Sequence, residues 1–391
     1  MKPLWPRILL AVVLAASPSP VWAQAGWFVL PSFGVTEEFD DNIFGTPSGM
    51  RSDLITRFSP KLGAGYRSIP LTLLGSYAFD AEVFARTPEL NTATARQVAR
   101  LDFHYLPTHL LTLAMDVSYT ETLKPTEEEI ISEAGRRRVT QLRILPSVSY
   151  QFDPLTSGDA SYFFRQRTTS KHHVTSKGVT KTTEITHTTR QTQLALSRQF
   201  TSLDTGTVGY RLSLFETDES DATSHTPTIG WSRRLAKETV VTLQGGPRVT
   251  DGAVDPEVAA RLEHRFEWAR VSVDYSRSEV ALINRTVPVG SIETLSGSVK
   301  FEPLQFLEVR LVPQIQKISR EEELDTTRKT SREKDRETTI YRLRTAVKYR
   351  LTKWMSARAE YLFRYQERGA EDLTRSIFSI SLDFDYPTRV D

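Results

Sequence analysis

The densest chemistry in this sequence is a run of basic side chains near the C-terminus. Arg342, Arg344, Lys348 and Arg350 alternate with Tyr341, Leu343, Val347, Tyr349 and Leu351. An extended backbone therefore puts all four cations on one face and the apolar side chains on the other. The next segment repeats the pattern, with Met355, Ala357, Ala359, Tyr361, Phe363 and Tyr365 set against Ser356, Arg358, Glu360, Arg364 and Gln366. Like charges this close need counter-charge from neighbouring strands or from a ligand. Asp116, Glu308, Glu360, Asp383 and Asp385 occupy equivalent polar positions and could supply it, while Arg100, Arg143, Arg211, Arg261, Arg265 and Arg310 add to the basic side. Such a face either raises the anion concentration in a wet channel or pairs off across strands to fill a wall.

Other reactive groups are sparse. His172 and His173 fall in a stretch rich in Lys, Ser and Thr, which reads as a solvated loop. His104 lies near Arg100 and Asp102 without a serine or carboxylate at a spacing that would make a triad. Neither a Gly-rich phosphate loop nor a metal-ligand spacing occurs, so no catalytic residue, metal or cofactor is assigned. Asp40, Asp41 and Asn42 offer clustered oxygens that suit a hard cation, but the same residue types shape turns.

The elements that must position these groups are strands. Period-two alternation recurs along the chain in segments of roughly ten to fifteen residues, as in Leu111, Leu113, Met115, Val117 and Tyr119 against Thr112, Asp116, Ser118 and Thr120. Helical periodicity is absent. A soluble sandwich also alternates, but three features favour a barrel. The segments are long enough to cross a bilayer at a tilt. Tight links such as Ser68-Ile69-Pro70, Ala236-Lys237-Glu238 and Lys353-Trp354 alternate with the polar stretches 41–53, 123–137, 168–186, 251–256, 283–290 and 319–337. Aromatic residues, among them Tyr105, Phe152, Phe200, Trp268, Phe306 and Trp354, gather beside the tight links, as an interfacial girdle would. The expected fold is an all-β, transmembrane, antiparallel up-and-down barrel of about eighteen strands, give or take about two. Tyr361 and Phe363 should face lipid; Arg358 and Glu360 should face the lumen.

The ends of the chain fit export to the cell outer membrane. Lys2 and Arg7 precede the apolar run Ile8 to Ala16, and Val21-Trp22-Ala23 sets small residues before a cleavage point. Residues 1–23 thus read as a signal peptide and 24–391 as one barrel domain. The chain has no cysteine, so disulfides do not hold it. Its net charge of +2 gives no sign of a nucleic-acid partner. In the last segment Phe378, Ile380, Leu382, Phe384 and Tyr386 oppose Ser379, Ser381, Asp383 and Asp385. This resembles the C-terminal signal read by the barrel-assembly machinery, although Ser381 stands where glycine is usual and five residues follow Tyr386. Outer-membrane lipid is the other expected partner. Proline recurs inside strand segments, at Pro31, Pro60, Pro146, Pro227 and Pro313, where it should cost a ladder bond.

The opening, Glu37-Glu38-Phe39-Asp40-Asp41-Asn42-Ile43-Phe44, then Ser52-Asp53-Leu54 and Ser59-Pro60-Lys61-Leu62-Gly63-Ala64-Gly65-Tyr66, resembles the start of the β-barrel porin 2 family. The likeness is sharpest over residues 27–67. It implies an outer-membrane barrel associated with exopolysaccharide export, working with periplasmic polysaccharide-export components. The family has no established catalytic residues to carry over. An anion-selective or general diffusion porin, and a structural or surface-binding barrel with a blocked pore, are the competing expectations.

Overall fold

The computed structural model describes residues 26–123, 138–174, 180–218, 220–281, 289–320, 337–368 and 371–385. Within them the alternating segments form β1 (Gly26–Asp40), β2 (Asp53–Arg67), β3 (Leu71–Phe84), β4 (Thr92–Tyr105), β5 (Leu111–Thr122) and β6 (Val139–Asp153). There follow β7 (Thr156–Val174), β8 (Thr180–Gln199), β9 (Asp204–Thr217), β10 (Asp221–Ala236), β11 (Thr239–Thr250) and β12 (Ala253–Arg265). The last six are β13 (Ala269–Ala281), β14 (Val289–Leu304), β15 (Leu307–Arg320), β16 (Glu337–Arg350), β17 (Met355–Arg368) and β18 (Glu371–Asp385). Each pairs antiparallel with the next, and β1 also pairs with β18, so the 18-stranded sheet closes on itself. Closure leaves no open edge, which is the condition for crossing lipid with strands. No helix of the described residues is long and apolar enough to cross a membrane.

One long-range bond tells inside from outside. Ser213 Oγ on β9 donates to Glu279 Oε1 on β13 at 2.6 Å, and these strands are not neighbours, so the bond must run through the interior. Strand register carries that facing round the ring. Outward positions are apolar and bare: Trp27 is 78%, Ile229 72% and Val208 62% exposed. In water this would be a large liability; in hydrocarbon it is the favourable surface. Aromatic rings cluster beside the tight turns, with Phe266 stacked on Trp268 at 5.8 Å and Trp268 edge-on to Phe301 at 5.2 Å. Tyr150 and Phe152 meet at 5.0 Å on another turn.

Two expected loops are mostly strand. In the stretch 168–186, β7 and β8 stay paired from Thr168↔Thr186 to Val174↔Thr180. Its outward residues there, Thr168, Ser170, Glu184 and Thr186, are polar, so the hairpin stands clear of lipid and lacks the apolar alternation that marks a buried strand. The stretch 251–256 contracts to a turn at Asp251 (φ 48°) and Gly252 (φ 91°), after which β12 begins. Asp-Gly with both residues at positive φ is the two-residue hairpin connection.

The prolines find a common solution. Within an antiparallel strand a residue's N–H and C=O point to the same neighbour, so proline damages only one of its two ladders. Register is interrupted at Pro60 in β2–β3, Pro146 in β6–β7, Pro227 in β10–β11 and Pro313 in β14–β15. Pro31 lies one residue before β1–β18 pairing starts. On the other side each remains paired: Pro60 with Phe33, Pro146 with Met115, Pro227 with Tyr210, Pro313 with Leu343 and Pro31 with Leu62. Gly246 makes the Pro227 irregularity possible, since a Cβ there would sit 1.9 Å from the Pro227 carbonyl oxygen.

Candidate functional site

The lumen wall carries nearly all the polar chemistry. On β16, Arg342, Arg344, Lys348 and Arg350 share the inward register, and on β17 so do Arg358 and Arg364. Pairing brings like charges together, because Lys348 lies directly opposite Arg358, Arg342 opposite Arg364, and Arg364 opposite Arg375 of β18. Such juxtapositions are unfavourable unless neutralised. Arg375 is neutralised by Asp40 at 2.6 Å, and Arg344 Nε stands 3.1 Å from Glu360, while Arg342 and Arg364 donate to the uncharged Gln314 and Gln366 at 3.2 and 2.9 Å. Among the described residues, no hydrogen bond or ion pair holds the side chains of Lys348, Arg350 or Arg358.

The acidic positions are scattered round the ring. Glu308 takes Lys300 at 3.2 Å. Asp116 lies opposite Asp102 and 4.0 Å from Arg143. Asp383 is opposite Gly34, where an added Cβ would meet its Oδ1 at 3.1 Å, and Asp385 is opposite Ser32 near the tight-turn end. Arg143 and Arg165 place their guanidinium groups 5.5 and 5.9 Å from the inward ring of Phe163. The adjoining arc is of another kind. On β8 to β11 the inward residues are largely hydroxyls and amides, including Thr189, Gln191, Gln193, Thr228 and Gln244, with Ser197–Thr207 and Ser232–Thr242 contacts at 3.0 and 3.1 Å. Inward His104 sits opposite Thr72 and Ala114.

Sequence reasoning missed two inward intrusions at the long-loop end. Residues 41–52 fold over the lumen side of β2–β3, where Ile43, 1% exposed, packs on Ile55 and Phe84. Opposite, β12–β13 pairing stops at Val258↔Arg277, and the β13–β14 tip continues inside the wall of β9–β11. Besides the Ser213 bond, Glu279 lies 3.8 Å from Arg211, which also pairs with Glu257. Arg248 donates to Ser291 Oγ at 2.9 Å and pairs with Asp255 at 3.1 Å, while Val289 packs with Phe215 and Ala222. By alternation alone Glu279 and Ser291 share the parity of lipid-facing Val273 and Tyr275, so the strand pattern gives no warning of this fold-back.

Asp40, Asp41 and Asn42 form a clasp, not a cation cage. Asp40 takes two bonds from Arg375, from Nε at 3.1 Å and Nη2 at 2.6 Å. Asp41 Oδ1 accepts from Ser376 N at 2.8 Å, and Asn42 Nδ2 donates to Thr374 O at 3.2 Å. All three tie the end of β1 to β18. Among the described residues no group of His, Cys, Asp or Glu could hold a metal. The signal segment 1–23, Tyr386 and most of the charged stretch 319–337 lie outside the described residues, as do the side chains of His172 and His173, whose backbone is strand.

No protein-family model matches the chain, so the resemblance of residues 27–67 stands on those residues alone. No curated protein matches it. Solved structures do. A single-substitution variant of the ferric enterobactin receptor PfeA from Pseudomonas aeruginosa is 9% identical, with TM-score 0.50, covering 93% of this chain and 81% of that one. Another variant, in complex with enterobactin, has the same TM-score and identity and covers 82% of its own chain. Pseudomonas aeruginosa OccK11 is 10% identical, with TM-score 0.45, covering 94% of this chain and 100% of that one. At these identities the likeness is one of fold: this chain is a closed antiparallel β-barrel of the kind that resides in the cell outer membrane.

Proposed function

We propose that this barrel is a passive aqueous conduit that passes small anionic solutes across the outer membrane. The observation that carries the reading is the rung where Lys348 faces Arg358, with Arg350 beside it, none of them held by a carboxylate among the described residues. Glu308, opposite Lys348 on β15, is taken by Lys300 at 3.2 Å, so cations remain in excess on this stretch of wall. Such an excess raises local anion concentration, and salt screens the effect over about 8–10 Å near physiological ionic strength. In planar bilayers under a KCl gradient, the reconstituted chain should carry current and prefer chloride over potassium at about 0.1 M salt, less so at about 1 M. Absence of current, or cation preference at low salt, refutes the reading.

A second reading, polysaccharide export, draws on the hydroxyl and amide arc of β8–β11, which suits an extended sugar polymer. It calls for periplasmic polysaccharide-export components as partners, and a neutral oligosaccharide that never interrupts the chloride current would count against it. In either reading assembly runs through β18 and the barrel-assembly machinery, with outer-membrane lipid round the apolar band.

A further inference from the structure

We propose that the lumen wall of β2–β4 holds a binding site for a small organic carboxylate, a proposal that rests on the conduit reading and names a solute class for it. The wall is indented there by a recess of about 200 Å3 lined by Lys61, Ser76, Ala78, Asp80, Arg96 and Arg100, together with Val98. Side-chain length explains the shape. Lys61, Ala78 and Val98 share one rung, Ser76 and Arg100 the rung on one side, and Asp80 and Arg96 the rung on the other. Rungs of like facing are about 6.6 Å apart, so short side chains make a floor and three long cations make its rim. The recess opens beside the interrupted Pro60 ladder.

Within the recess three cations stand against one carboxylate, and Asp80 lies opposite Arg96, which leaves Lys61 and Arg100 facing the cavity together, with Asp102, one rung along β4, attracting both from outside the lining. None of the three cations is held in a hydrogen bond or ion pair among the described residues. The volume holds about six waters at about 30 Å3 each, enough for a carboxylate and a short carbon chain. Ala78 and Val98 decide the class. A bare inorganic oxyanion would lose hydration against that floor without compensation, whereas an organic acid lays its apolar body there and its carboxylate between Lys61 and Arg100.

The test uses the full chain refolded in detergent, with butyrate as probe and phosphate as competitor, read by saturation-transfer NMR. Butyrate should bind, phosphate at equal concentration should displace little of it, and Arg100→Gln should weaken binding by about tenfold. Ala78→Leu and Val98→Phe each fill the floor while keeping every charge; either should abolish butyrate binding and leave the chloride preference of the pore unchanged. Heat-modifiable gel migration reports folding, and one folded floor variant suffices. Butyrate binding that survives a filled floor, or that phosphate displaces equally well, overturns the site. A cation-preferring pore whose butyrate binding responds as described overturns the conduit reading and leaves the site standing.

Discussion

The clasp between the two ends of the barrel can be broken at one atom pair. Asp40 and Arg375 are 335 residues apart in sequence, and their side chains are 2% and 10% exposed. They close the β1–β18 ladder, which pairs only from Ser32↔Asp385 to Asp40↔Ile377, whereas β1–β2 pairs over the whole of both strands. In Asp40→Ala the buried guanidinium loses both of its bonds to the carboxylate. Removing one partner of a buried pair costs about 3–5 kcal/mol, and nearby Glu38 and Asp41 soften this to about 2–3 kcal/mol. Removing both partners is far cheaper, because no charge is left uncompensated. The double variant Asp40→Ala, Arg375→Met should therefore recover the part of the loss that comes from the stranded guanidinium, while the Asn42 N–H that Asp40 Oδ1 also accepts at 2.9 Å stays unpaired in both variants. Urea unfolding of the refolded barrel, followed by tryptophan fluorescence and heat-modifiable migration, measures all three variants in one cycle. Two results refute the reasoning: an Asp40→Ala effect below about 0.5 kcal/mol, or a double variant whose loss is the sum of the singles.

Replacing Arg342, Arg344 and Lys348 together with glutamine should leave a folded barrel whose chloride preference falls, measured by reversal potential; unchanged selectivity would place the field of the pore elsewhere. Single cysteines at Tyr361 and Phe363 should react with lipid-soluble reagents and those at Arg358 and Glu360 with impermeant ones, and the opposite labelling rejects the register. Glu279→Gln removes the charge that meets Arg211 and Ser213, so the β13–β14 tip should loosen and single-channel conductance rise; an unchanged conductance means the tip does not limit flow. Gly246→Val should prevent refolding because of the Pro227 carbonyl, while Gly245→Ala, with its nearest atom at 3.4 Å, should refold as judged by gel migration.

How much of this is written in the chain depends on what each residue touches. Strand positions follow from alternation because lipid demands it of every outward side chain, and the basic stripe of β16 is visible for the same reason. The outer parts of β7 and β8 are not, since threonines and charges outside the membrane look alike in a strand and in a loop. The Asp251-Gly252 turn carried a readable signal that polar composition masked. The turn-forming reading of Asp40 to Asn42 holds, but its partners Thr374, Arg375 and Ser376 lie at the far end of the sequence, and no local pattern names them. The fold-back of Glu279 and Ser291 depends on contacts across the interior, which period-two alternation does not encode.

The proline interruptions bear on the mechanics of the wall. They weaken the ladders β2–β3, β6–β7, β10–β11 and β14–β15, each four strands on from the last, and four more strands reach the short β18–β1 seam. A hoop with joints at these intervals behaves like a cask of stiff staves. Under lateral load from the bilayer it bends along the joints, where fewer hydrogen bonds resist, and the intervening panels, four of four strands and the two-strand panel β1–β2, move as plates. The cations of β16 and β17 all ride on one such plate, β15–β18, so their mutual spacing survives a change in cross-section. The recess of β2–β4 straddles the β2–β3 joint, so squeezing the cask changes how far Lys61 stands from Arg100.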